Sequence, residues 1–142
     1  MKKYFLLITF LMLVGLGCSS EKKPVADIGQ GATISGLITV AQELQSQLRP
    51  TDVVFVIAKK DSGPPLAVKK IMNPTFPLAY VLTGEDAMFP GTPFQGEVKV
   101  IARVDRDGNA GPAQPGDLEG VARQNPARVG DRNVDIVINQ KL

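Results

Sequence analysis

Residues 52–60, DVVFVIAKK, constrain the fold more than any other stretch of the 142-residue chain. Alternation along a strand puts Val53, Phe55 and Ile57 on one face and Val54, Val56 and Ala58 on the other. Both faces are apolar, which predicts a strand at the centre of a sheet rather than at its edge. The flanking sequence continues the β pattern. Residues 33–40 (TISGLITV) are rich in β-branched side chains, and 66–72 (LAVKKIM) follow the turn Asp61-Ser62-Gly63-Pro64-Pro65. Residues 76–83 alternate Phe76, Leu78, Tyr80 and Leu82. Residues 97–105 set Val98, Val100, Ala102 and Val104 against Glu97, Lys99, Ile101 and Arg103, and 133–139 place Val134, Ile136 and Ile138 on one face. One piece differs: in 41–48, Ala41, Leu44 and Leu48 stand at helical spacing and Arg49-Pro50 ends the run. This predicts a turn or two of helix bridging the first two strands.

Short strands separated by turn residues, in a segment the size of one small domain, predict an all-β fold. The expectation is an immunoglobulin-like β-sandwich of about seven strands over residues 33–142, with one short helical turn. The chain has one cysteine and no tryptophan, so the disulfide and buried indole of antibody domains are both missing. Apolar burial can replace them. Each large side chain buried on a strand such as 53–58 contributes about 1.5–3 kcal/mol, against about 2–4 kcal/mol for a disulfide.

The first twenty residues read as a targeting segment. Lys2 and Lys3 precede an apolar run from Tyr4 to Leu16, shorter than the roughly 20 residues that span a bilayer. A basic start, a short apolar core and small residues at its end describe a secretory signal peptide. Leu16-Gly17-Cys18 resembles the lipobox of bacterial lipoproteins, where cleavage precedes a cysteine that is then lipidated. That resemblance makes residues 1–17 a lipoprotein signal peptide, Cys18 the lipid attachment site and 18–32 a flexible tether, being small, polar and proline-containing. The expected location is the bacterial cell envelope, anchored by lipid to a membrane and facing the periplasm. Ser19 and Ser20 follow the cysteine, which by resemblance to enteric lipoproteins leaves the outer membrane open as a destination.

Composition narrows the chemistry. Sixteen Lys and Arg stand against fourteen Asp and Glu, and removal of Lys2 and Lys3 would leave these balanced, so no basic excess points to nucleic acid. Histidine is absent, which removes Ser-His-Asp and Cys-His arrangements, the usual zinc sites and histidine ligation of haem. Met72 and Met88 are expected as fillers of a β-core. Paired carboxylates could support glycoside hydrolysis, but Glu85, Asp86, Asp105, Asp107, Asp117 and Glu119 fall in turn-like sequence and are expected to be solvated. Lys59-Lys60 and Lys69-Lys70 flank one hairpin and suit protection of a sheet edge, or alternatively a basic docking patch. No enzyme activity and no cofactor is expected.

The stretch RDGNAGPAQPGDLEG, residues 106–120, fails as a calcium loop. Counted from Asp105, its glycine falls at the fourth position instead of the sixth, and the twelfth residue is Gly116 instead of Glu. It fails as a phosphate loop because no Gly-Lys-Ser/Thr follows. Asp107-Gly108-Asn109 and Pro115-Gly116-Asp117 are turn chemistry, so the stretch is expected to be an exposed connection between strands. Asp107, Asn109, Asp117 and Glu119 are its candidate partner-contact residues.

Taken in order, VFVIA (54–58), GPPLAV (63–68), FPLAYVLTGEDAM (76–88), IARV (101–104) and PGDLEG (115–120) carry a resemblance across about residues 33–140. They resemble the C-terminal immunoglobulin-like domain of the cytochrome c biogenesis proteins CycH or CcmI. The membrane-bound members of that family add transmembrane helices and tetratricopeptide repeats that recognise apocytochrome. This chain is read as the terminal domain alone on a lipid anchor. The resemblance implies a non-enzymatic accessory protein linked to c-type cytochrome biogenesis, with a protein partner such as apocytochrome c or the haem-ligation machinery. The alternative is a general envelope lipoprotein with a structural or polymer-binding sandwich.

Overall fold

The computed structural model describes residues 32–142. Two sheets face each other around one main core. The smaller has the order β4-β1-β8, from β1 (Ile34–Val40), β4 (Leu78–Leu82) and β8 (Ile136–Ile138). The larger has the order β3-β2-β5-β6-β9, from β2 (Val53–Lys59), β3 (Pro65–Met72), β5 (Glu97–Asp105), β6 (Leu118–Val121) and β9 (Gln140–Lys141). The short β7 (Ala127–Arg128) pairs with the start of β5. β1 runs parallel to β8 and antiparallel to β4. The fold is therefore the all-β, immunoglobulin-like sandwich expected, with nine strands among the described residues.

β2 lies between β3 and β5, as its doubly apolar pattern requires. Its inward residues Val54, Val56 and Ala58 join Val98, Val100, Ala102 and Val104 of β5 in the main core. From the other sheet come Ile34, Ile38, Tyr80, Leu82, Ile136 and Ile138. Phe94, from the connection before β5, is also buried there. The outward residues of β2 form a second cluster, in which Phe55 and Ile57 pack with Ile101.

The helix is shorter than its spacing suggests. α1 covers only Gln42–Gln45, with Leu44 buried, and tighter three-residue turns carry the chain to Leu48. Asp52, predicted as the first residue of a strand, is buried and closes the turn instead: its Oδ2 accepts the Arg49 N–H at 2.7 Å. β4 begins two residues later than the alternation from Phe76 predicts, after Pro77, which has no N–H to give a ladder.

β8 stitches the two sheets along one side. Its residues pair with β1, while Asn139 N–H donates to the Glu119 carbonyl at 3.1 Å and Ala122 bridges Ile136. Gly120 permits this approach. A Cβ there would overlap the Val137 carbonyl and lie 2.7 Å from Ile138 Cα. After this contact the chain passes to the larger sheet as β9.

Candidate partner-contact surface

The connection from β5 to β6 is built from its first residue. Asp105 is buried, and its Oδ1 accepts the N–H groups of Asp107 at 3.0 Å and Gly108 at 2.7 Å. Gly108 takes φ 74°, a left-handed conformation that suits glycine. Asp107 Oδ1 accepts the Asn109 N–H at 2.8 Å, which completes the turn. Asp105 Oδ2 is buried and has no hydrogen-bond partner. Burial pushes the Asp105 carboxyl above its ordinary pKa, with the neighbouring Asp107 carboxyl adding to the rise. The Asn109 backbone N–H pulls Asp107 down.

Two carbonyls of this loop are held down on the outer face of the larger sheet. Lys70 Nζ donates to the Gly108 carbonyl and Arg103 Nη1 to the Gly111 carbonyl, each at 2.9 Å. Register places Lys70, Phe55, Arg103 and Glu119 in one row across four strands. Lys70 Nζ also stands 5.7 Å from the centre of the Phe55 ring, within cation–π range. These contacts explain how Phe55 is buried on an outward face.

The four candidate loop residues therefore separate. Asp107 and Asn109 are exposed. Asp117 is not part of an exposed connection: it is 1 % exposed, and its two oxygens accept the N–H groups of Arg106 at 3.2 Å and Gln114 at 2.8 Å. Glu119 is half-buried, with Oε2 3.5 Å from Arg103 Nε. The reason is β6, which starts at Leu118 and turns the last residues of the stretch into ladder. Asp117 and Glu119 shape and hold the loop, whereas Asp107 and Asn109 face solvent.

Of the adjacent pair Glu85 and Asp86, Glu85 is exposed and Asp86 is engaged. Asp86 Oδ2 accepts the Thr83 N–H at 2.8 Å, capping a single 3-10 turn at Gly84–Asp86, and lies 3.3 Å from Lys69 Nζ. Both Lys69 and Lys70 sit on β3, an edge of the larger sheet. No cluster of three possible metal ligands occurs among the described residues. Met72 and Met88 are surface residues, 66 % and 46 % exposed, and not the core fillers expected. Cys18 and the tether lie outside the described residues.

Two clefts of about 510 Å³ each share Leu48 as a wall. One is lined by the apolar residues Val40, Pro74, Phe76 and Pro77. The other is lined by Arg49, Arg106 and Lys141. The sequence reading missed both, because their walls come from three separated connections and the ends of β1 and β9.

Residues 34–139 match the family described as the cytochrome c-type biogenesis protein H Ig-like domain. The chain belongs to that family. This CycH Ig-like chain is similar to an uncharacterized protein of Aquifex aeolicus, at 29 % identity over 99 % of this chain and 95 % of the relative. It is also similar to the cytochrome c-type biogenesis protein CycH of Pseudomonas aeruginosa, at 35 % identity over 61 % of this chain and 22 % of that protein. The CycH Ig-like domain thus aligns with a small part of that larger relative. Among solved structures, an alternative pilotin of the type II secretion system of Vibrio cholerae covers 76 % of this chain and 96 % of its own, at 15 % identity and TM-score 0.45.

Proposed function

We propose that this chain is a lipid-anchored, non-enzymatic accessory protein of c-type cytochrome maturation. It works on the periplasmic side of a bacterial envelope membrane by binding a protein partner, either apocytochrome c or a component of the haem-ligation machinery. The observation that carries the reading is family membership across residues 34–139. Similarity to a named cytochrome c-type biogenesis protein supports it. Asp52, Asp86, Asp117 and Glu119 are committed to backbone N–H groups or cations, in keeping with a binding role. Attachment through Cys18 would hold the domain at the membrane where haem ligation takes place, with residues 18–32 as the tether.

The test is affinity capture from membranes with the full lipidated chain as bait. Co-purification of haem-ligation proteins or apocytochrome, lost when Cys18→Ser frees the chain from the membrane fraction, supports the reading. A bait that recovers neither from cells making c-type cytochromes refutes it.

A further inference from the structure

The two clefts that meet at Leu48 differ in chemistry. On one side Leu48, Phe76, Pro74 and Pro77 present an apolar wall. On the other stand Arg49, Arg106 and Lys141, with no carboxylate in the lining. Among the described residues, none of these three cations has a carboxylate oxygen within 4.0 Å of its side-chain nitrogens. Arg106 is nonetheless held in place. Its Nη2 donates to the Gln47 carbonyl at 2.9 Å and its Nε to the Gly116 carbonyl at 3.2 Å. Both acceptors are neutral, so the guanidinium is oriented without an ion pair, while the Asp117 carboxylate and the terminal Leu142 oxygen, which accepts the Gly116 N–H at 2.7 Å, stand at the same corner. Asp117 braces the same corner by accepting the Arg106 N–H. A positioned arginine with two further cations around it is suited to carboxylate recognition. Each cleft, at about 510 Å³, is in the size range of ligand pockets, about 300–1,000 Å³.

We infer that these clefts form one bipartite docking site for a peptide segment of a partner protein in which an apolar or aromatic side chain is followed directly by acidic residues. The apolar side chain enters beside Phe76 and Leu48, and the carboxylates reach Arg49, Arg106 and Lys141. Charge complementarity selects this occupant, since a neutral apolar segment would leave three cations unmatched. The inference rests on the reading of the domain as a protein-binding module and does not depend on the cytochrome link.

The test is a titration of the isotope-labelled full chain, in detergent micelles, followed by NMR. The probes are the acetylated, amidated peptide Leu-Phe-Glu-Asp, its neutral counterpart Leu-Phe-Gln-Asn, and inorganic phosphate. The acidic peptide is expected to shift the Nε–H signals of Arg49 and Arg106 and the ring signals of Phe76 together, saturably. The neutral peptide should bind about tenfold more weakly. The double variant Arg49→Gln with Lys141→Gln should lose about the same factor for the acidic peptide while unfolding at the same temperature. Equal binding of the neutral peptide, shifts elsewhere on the domain, or no shift at millimolar peptide overturns the inference. So does phosphate that moves the arginine signals as strongly as the peptide, since the apolar half would then contribute nothing. Because no cytochrome is present, failure here and failure of the maturation role are read separately.

Discussion

Replacing Tyr80 by Phe tests the seam that sets β1 against β8. Tyr80 is 3 % exposed and its hydroxyl donates to the Val134 carbonyl at 2.6 Å. Burial, with the negative charge of Asp135, pushes the phenol pKa far above its ordinary value, so the group remains a donor at any ordinary pH. The Val134 carbonyl is also crowded by Gly36: a Cβ on that glycine would overlap it and stand 3.0 Å from Val134 N. A buried carbonyl stripped of its donor costs about 1–3 kcal/mol, and the near-isosteric ring adds almost no cavity. The expected loss for Tyr80→Phe is therefore about 2 kcal/mol. In urea unfolding followed by circular dichroism, with m about 2 kcal/mol/M, that lowers the midpoint by about 1 M at unchanged m. A loss below about 0.5 kcal/mol, under the range for such a bond, would refute the reasoning, as would an altered m.

Asp105→Asn is expected to stabilise the chain at neutral pH and flatten its pH profile. The native Asp105 pKa is raised, so its stabilisation is complete below the unfolded carboxylate range and is lost as pH rises through the native value. That fall is at most about 1.4 kcal/mol per pH unit. The Asp107 contribution has the opposite sign and is lost as pH falls below the ordinary carboxylate range. Asparagine keeps an acceptor for the Asp107 and Gly108 N–H groups; unfolding at several pH values is the check, and an unchanged pH profile counts against a raised Asp105 pKa. Asp117→Ala should cost about 2–3 kcal/mol by chemical unfolding, because a charged acceptor of two N–H groups is lost from a buried position. The exposed Asp107→Ala should cost less, and the reverse order would contradict the assignment of the two residues.

The sandwich was legible in the sequence where period and burial agree. Val54, Val56 and Val98 to Val104 alternate because they meet the opposite sheet, and β2 is apolar on both faces because a second cluster lies outside it. β6 was not legible: LEGV has one β-branched residue and a glycine, and Gly120 is there for the close approach of Val137 and Ile138. Asp117 looks like a solvated turn residue, and only the three-dimensional return of Arg106 and Gln114 to its oxygens shows its role. The two clefts depend on the same kind of return. Arg49 and Arg106 are far apart in sequence, and Arg106 meets the chain near Arg49 through the Gln47 carbonyl. The turn at Asp107-Gly108-Asn109 was readable because local hydrogen bonds make it.

The central claim, a role in c-type cytochrome maturation, is tested most directly by covalent haem. The measurement is haem peroxidase staining of membrane c-type cytochromes, normalised to apocytochrome, in cells lacking this chain and in cells with it restored. The account expects the ratio to fall without the chain and to recover with the full chain but not with Cys18→Ser. An unchanged ratio in the deletion strain, under conditions where c-type cytochromes are being made, would contradict it.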